Sequence, residues 1–295
     1  MDLDLYLKKK RKLVDNFLKE FISSKKKLKD CPATLSKAMG YALMAGGKRV
    51  RPILAIASYE AVGGKAKNIL PVAASLELIH TYSLIHDDLP AMDDDDFRRN
   101  KPTAHKVFGE GTAILAGDAL LTDAFHVISQ SKADPKILLK VITELAYGAG
   151  PEGMVGGQTV DLMLEGKKAK KKELLYIHTH KTGALIRASI RMGAIMANCS
   201  PAKLKALTEY GEKVGLAFQV IDDILDITGT KEEIGKPIGS DDAKGKNTYP
   251  STFGLKQSQK IAEKLIEDAL KSIKNFNKKA EPLAEIARYI ISRRN

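Results

Sequence analysis

Residues 72–99 read VAASLELIHTYSLIHDDLPAMDDDDFRR, and the change of character halfway along decides how the chain folds. The first half is rich in Ala, Leu and Ile without the apolar–polar alternation of a strand, so it reads as helix from Leu76 to Asp88. On that helix His80, Ser83 or Leu84, and Asp87 line one face. Pro90 disfavours helical geometry at Leu89, so the chain leaves the helix there and Asp93 to Asp96 reach back from a loop. Six aspartates therefore fall within positions 87–96 of a chain whose net charge is +12. Two carboxylates ~4 Å apart repel by roughly 4 kcal/mol at an effective dielectric of 20. Such a cluster is solvated, partly protonated, or holding cations.

A second acidic stretch, FQVIDDILDI at 218–227, bears on the choice. Asp222 and Asp226 share a helical face with Gln219 beside them, while Phe218, Val220, Ile221, Ile224, Leu225 and Ile227 are apolar. The helix is thus largely buried with one narrow polar stripe. An unpaired buried carboxylate is expensive, so the stripe faces a polar cavity, a cation, or both. One acidic run alone is more often a solvated loop. Two acid-bearing helices in apolar sequence point instead to hard divalent ions, as in Mg²⁺ held by carboxylates and substrate phosphates.

Basic groups complete the pattern. GGKRVRP (46–52) sets Lys48, Arg49 and Arg51 beside two glycines, which permit close backbone approach to an anion. Arg98 and Arg99 follow the aspartates, Lys181 and Thr182 lie in HKTGALIR, Lys236 in GKPIGSDD and Lys246 in GKNTYP. Together they describe a site for more than one phosphorylated ligand, although no P-loop is present.

The period is helical nearly throughout. Val14, Phe17, Leu18 and Phe21 make the first helix amphipathic, and breakers are few and grouped. The expectation is one all-α domain spanning 1–295, with about a dozen helices. No uncharged apolar run reaches the ~18–20 residues of a membrane span, and the start MDLDLYLKKKRK is not a signal peptide. Cys31 and Cys199 are the only cysteines, which suits a reduced cytosolic protein. The lysine runs at 8–12, 25–29 and 167–172 lack interleaved aromatics and read as solvated helix ends and loops rather than a nucleic-acid surface. His178 and His180 stand ~200° apart on a helix, so capping or surface roles are preferred to a shared metal. His126 reads as a packed core residue.

The motifs GGKRVRP, IHDDLPAMDDDDFRR, GGQTVDL, HKTGALI, FQVIDDILD and GKNTYP together resemble the trans-isoprenyl diphosphate synthases, and among them the bacterial farnesyl diphosphate synthases. The match runs from about Leu35 to the C-terminus. The resemblance implies an all-helical fold around a deep central cavity and a cytoplasmic homodimer without membrane insertion. It implies Mg²⁺-dependent head-to-tail condensation of isopentenyl diphosphate with dimethylallyl and geranyl diphosphate to farnesyl diphosphate, with three Mg²⁺ ions when diphosphate is bound. Asp87, Asp93 and Asp222 resemble the metal ligands, and Asp88, Asp161, Asp223 and Asp226 would support metals or their waters. Lys48, Arg51, His80 and Arg99 resemble the isopentenyl diphosphate site. Arg98, Lys181, Thr182, Gln219, Lys236 and Lys246 resemble the allylic diphosphate site. An aromatic five residues before the first aspartate, Tyr82, and the inserted Pro90-Ala91 resemble the mark of C15 synthases, although helix geometry sets Ser83, four residues before, under Asp87.

A geranylgeranyl (C20) synthase and a silent subunit of a heteromeric synthase are the alternatives. A terpene cyclase would normally replace the second aspartate motif, which is intact here.

Overall fold

The computed structural model describes residues 1–229 and 246–292, and among them the chain is all-α: fourteen α-helices and one two-strand hairpin. The predicted acidic helix is α4 (Leu70–Asp87), which starts six residues earlier than the periodicity suggested, with Pro71 in its first turn. Every residue from Val72 to Ile79 is buried, so the missing alternation reflects a helix surrounded on all sides. One flank is α6 (Glu110–Ser129), with Ala113, Ala116, Leu120 and Ala124 buried. By length and composition α6 is also the one helix among the described residues that could cross a membrane.

Two cores share a wall made by α3 (Val50–Ala61) and α10 (Ala184–Met196). Ala55, Ile56, Leu185 and Met192 face a core with α1 (Leu3–Lys27), α4, α6 and α7 (Pro135–Ala149). Ile53, Leu54, Ile186 and Ile190 face the other, completed by α11 (Pro201–Thr228), α13 (Leu255–Ser272) and α14 (Glu281–Ser292). The Ser58 hydroxyl donates to the Ile190 carbonyl at 2.6 Å and ties the two wall helices together.

The first helix buries Val14, Leu18 and Ile22, close to the expected stripe, and places Lys25–Lys27 in its last turn, where cations favour the helix dipole. At the corner of α1, α3 and α4, Arg49 is only 3% exposed, with φ 54°. Its Nε donates to Asp15 at 2.9 Å, Nη1 to Glu77 at 2.5 Å and Nη2 to the Leu43 carbonyl at 2.8 Å. The middle cation of GGKRVRP is therefore a structural bolt.

Candidate active site

The site is built around the C-terminal turn of α4. The helix stops at Asp87 and the chain folds back as Pro90 requires: Asp93 N–H donates to the Asp87 carbonyl at 2.8 Å, and Asp94 N–H to that of Leu89 at 3.1 Å. Asp88 is 3% exposed and accepts from Arg98 Nε at 2.6 Å.

Arg98 and Arg99 sit on a hairpin, β1 (Phe97–Arg98) against β2 (Lys101–Pro102). The connecting Arg99 and Asn100 have φ 53° and 60°, the positive pair that a type I′ connection requires. This strained Arg99 conformation aims the guanidinium at the Gly46 carbonyl. Gly47, at φ 125°, leaves room, since a Cβ there would lie 2.8 Å from Arg99 Nη2.

Opposite stands α8 (Met154–Met163), whose Gln158 Nε2 donates to Asp87 Oδ1 at 3.0 Å. Gly157 lets α8 lie directly on the backbone of Lys181, where any Cβ would collide with the Lys181 nitrogen. Lys181 in turn pairs with Asp161 at 2.5 Å. Lys181 and Thr182 belong to a π-helical segment, His178–Gly183, between α9 (Lys171–Ile177) and α10. The Thr182 hydroxyl donates to Gln219 Oε1 at 2.8 Å, and Gln219 Nε2 to Asp223 Oδ1 at 3.0 Å. Lys246 stands 3.8 Å from Asp93. Its neighbour Asn247 accepts the Ala169 N–H at 2.8 Å and donates to the Lys167 carbonyl at 2.9 Å, fastening this segment to the lysine loop.

Burial pushes the Asp87 carboxyl up to about 6, with Lys181 pulling the other way and Asp93 adding to the rise. Asp88 rises to about 6 for the same reason, against the pull of Arg98. Gln158 Oε1, beside Asp87, is buried with no partner among the described residues. Oxygen donors that resist ionisation, next to an orphaned acceptor, fit a hard divalent cation. Burial also holds His80 well below the ordinary histidine value, helped by Arg51, Arg99, Arg98 and Arg49, so its ring is neutral. Burial lowers Arg51 too, opposed by Glu77 and Asp222. Its Nε is buried without a partner among the described residues. Several guanidinium groups around a neutral imidazole make a pocket that favours an anion.

The predicted residues thus fall into two adjoining groups. Asp87, Asp93, Arg98, Lys181 and Lys246 share one electrostatic neighbourhood. His80, Arg51 and Arg99 share another, which reaches Asp222 through Arg51. Lys48 is exposed next to Gly47, and Asp226 is 3% exposed one turn beyond Asp222. Lys236 lies outside the described residues. Among the described residues, the trio of acidic and histidine ligand atoms within 4.8 Å of one another is Asp94, Asp96 and His105. Lys106 stands 2.7 Å from Asp96 there.

Two readings are corrected. His178 is neither a cap nor a surface residue: it is 3% exposed and bonds Asp223, because the π-turn rotates it inward. His126 is exposed rather than packed, since α6 turns Ala124 and Val127 inward instead. The hairpin and the Asn247 fastening went unread. The hairpin lacks the Asn-Gly or Asp-Gly signal, and Asn247's partners lie about 80 residues away.

The polyprenyl synthetase family matches residues 32–289. The chain is 45% identical over 296 residues to the farnesyl diphosphate synthase of Geobacillus stearothermophilus, covering 99% of this chain and 98% of that protein. It is 46% identical over 293 residues to the geranylgeranyl diphosphate synthase of Cyanophora paradoxa, covering 98% and 96%. The crystal structure of geranylgeranyl pyrophosphate synthetase from Pyrococcus horikoshii superposes with a TM-score of 0.88 at 32% identity, covering 98% of both chains. With the family match spanning the acid-bearing α4 and α11, the chain belongs to the polyprenyl synthetase family, prenyltransferases that join isopentenyl diphosphate to allylic diphosphates.

Proposed function

We propose that the chain makes farnesyl diphosphate, adding isopentenyl diphosphate head-to-tail to dimethylallyl and then to geranyl diphosphate, as one domain over 1–295 and as a cytoplasmic homodimer. The observation that carries the chemistry is the cluster of Asp87 and Asp93 among Lys181, Lys246 and Arg98. These three cations, with Lys236, hold the allylic diphosphate. Asp87, Asp93 and Asp222 would hold Mg²⁺, with Asp226 behind them, as three ions once diphosphate is bound. Bound there, Mg²⁺ neutralises the charge that grows on the departing diphosphate. Lys48, Arg51, His80 and Arg99 hold the second diphosphate and set its double bond against the allylic carbon. The hydroxyl and amide dipoles of Thr182 and Gln219 favour the allylic cation without trapping it. Apolar walls exclude water that would quench it. The released diphosphate takes the final proton, so no side-chain nucleophile is required.

The C15 length rests on Tyr82, which is 7% exposed and whose phenol is raised to about 12 by burial and by the charge of Asp87. The C20 reading is kept because Ser83 shares the Asp87 face and relatives carry both names. Exposed Ile114 and Leu115 on α6 and Leu139 and Tyr147 on α7 support a second copy seating on these helices. Of the lysine runs, 25–29 closes α1 and 167–172 lies in the loop that leads into α9, whereas 8–12 lies within α1, where Lys10 is buried against Glu60.

The test is incubation of pure protein with Mg²⁺, isopentenyl diphosphate and dimethylallyl diphosphate, followed by dephosphorylation and measurement of chain length. A C15 alcohol is expected, with turnover lost in Asp87→Ala and Asp222→Ala. Full activity in both variants would remove the mechanism.

A further inference from the structure

The site described above makes no use of His178, yet this is among the most enclosed polar side chains in the protein, at 3% exposed. Its Nε2 lies 2.7 Å from Asp223 Oδ2. Asp223, itself 2% exposed, also accepts the Tyr249 N–H at 2.8 Å on Oδ2 and Gln219 Nε2 at 3.0 Å on Oδ1. Gln219 Oε1 then accepts the Thr182 hydroxyl at 2.8 Å. His178 Nδ1 is buried with no partner among the described residues, and the ring lies against Tyr249 at 5.1 Å between centroids.

Hydrogen-bond directions along this chain follow from what each group can do. An ionised carboxylate only accepts, so Nε2 carries a proton, and an Nδ1–H would be a buried donor without an acceptor. The Nε2–H therefore points at Asp223. With both oxygens of Asp223 engaged, Gln219 can offer Oδ1 only its amide NH₂. That leaves its carbonyl towards Thr182, which must donate. The Thr182 oxygen then turns its lone pairs away from Gln219.

We propose that His178 is a positioning residue for prenyl transfer: by holding Asp223 it fixes the Gln219 amide, and through it the polarity with which the Thr182 hydroxyl faces the allylic substrate. The proposal rests on the reading of Thr182 and Gln219 as dipoles at the allylic site. Tyr249 draws the segment bearing Lys246 onto the same carboxylate. Asp223 thereby organises three segments, the π-turn, α11 and residues 246–249, instead of reaching for metal or its water. His178 touches no substrate and moves no proton.

A role that acts on the developing cation affects kcat more than substrate binding. His178→Leu should lower kcat by about 10–100-fold, the usual loss for a residue that orients a ligand of the reacting centre, while the KM for isopentenyl diphosphate stays within about twofold. His178→Gln, whose terminal amide reaches the place of Nε2, should recover most of that loss. His178→Asn, whose amide stops near Nδ1, should not recover it. The losses from His178→Leu and Gln219→Leu should not add, since each breaks the same chain.

Circular dichroism and thermal melts accompany the kinetics. If the Leu variant does not fold, the Gln and Asn pair decides alone. Equal activity of that pair, additive losses, or a parallel rise in the isopentenyl diphosphate KM would overturn the proposal. Wild-type turnover in the same run checks the prenyl-transfer reading itself. Its absence would overturn both readings, whereas wild-type turnover with an unaffected Leu variant would overturn only this one.

Discussion

Replacing Tyr82 by alanine should lengthen the product. The side chain is 7% exposed and packs edge-on against His86, with ring centroids 5.7 Å apart. It stands five residues before Asp87, ~7.5 Å back along α4. On the proposed farnesyl reading, a chain anchored by its diphosphate near Asp87 grows towards this ring, and a further five-carbon unit must displace it. Forcing extra carbon into a packed wall costs about 1–3 kcal/mol. At 1.4 kcal/mol per decade, the next condensation is slowed roughly 5- to 150-fold relative to release. Without the ring that obstacle goes, and each added methylene gains ~0.8 kcal/mol on burial. Product should move from C15 to C20 or longer. The truncation also costs about 3–5 kcal/mol of stability, so the assay belongs at 25 °C with the fold checked by circular dichroism. Labelled isopentenyl diphosphate, dephosphorylation and reversed-phase chromatography read the distribution directly. Ser83→Ala tests the other residue on the Asp87 side, whose hydroxyl donates to the His80 carbonyl of its own helix, and should leave the C15 length in place if Tyr82 is the floor. An active Tyr82→Ala enzyme that still stops at C15 would refute the reasoning.

Arg49→Met strands Glu77 in the interior and should destabilise the protein by about 3–5 kcal/mol, lowering the melting temperature by roughly 6–20 °C; an unchanged melt would deny the bolt its role. Gln158→Ala should cut turnover about 10–100-fold by releasing the Asp87 carboxylate, with KM for isopentenyl diphosphate little changed. The raised Asp87 gives a pH test in metal-free buffer. Its folded value of about 6 exceeds the usual 3.8, so the folded state binds the proton more tightly. The penalty for ionising it is complete above pH 6, shrinks as pH falls through 6, and vanishes below 3.8. Asp87→Asn should therefore melt above wild type at pH 7.5 and converge with it near pH 4; a gap that does not vary with pH would contradict the buried carboxylate.

What could be read in advance was whatever local periodicity and proline impose. The helix before Asp87, its stop ahead of Pro90 and the polar stripe on α11 follow from spacing and from the cost of burying a carboxylate. Features that depend on distant partners left no local trace. Arg49 and Arg51 are neighbours in one basic motif, yet one is locked onto Asp15 and Glu77 and the other faces the anion pocket. Arg49 is left-handed at the start of α3, whereas Arg51 lies inside the helix. The type I′ hairpin is made by Arg99-Asn100, where strain is accepted to aim a cation, and composition argues against it. The inward turn of His178 is invisible too, since a run of regular helical turns sends it elsewhere.

That departure from regular turns makes residues 178–183 a phase shifter between α9 and α10. A wide π-turn holds one more residue than the α-helix it interrupts, so everything upstream is rotated by ~100° relative to everything downstream. Removing one residue there would let a continuous rod run from Lys171 to Met196 with the packing of α10 preserved, while Lys181 and Thr182 swung out of register with α8 and α11. Such a deletion would loosen the grip on the leaving group and also turn Leu174, Ile177 and His178 away from their buried partners: in this stretch, angular register couples the site to the core.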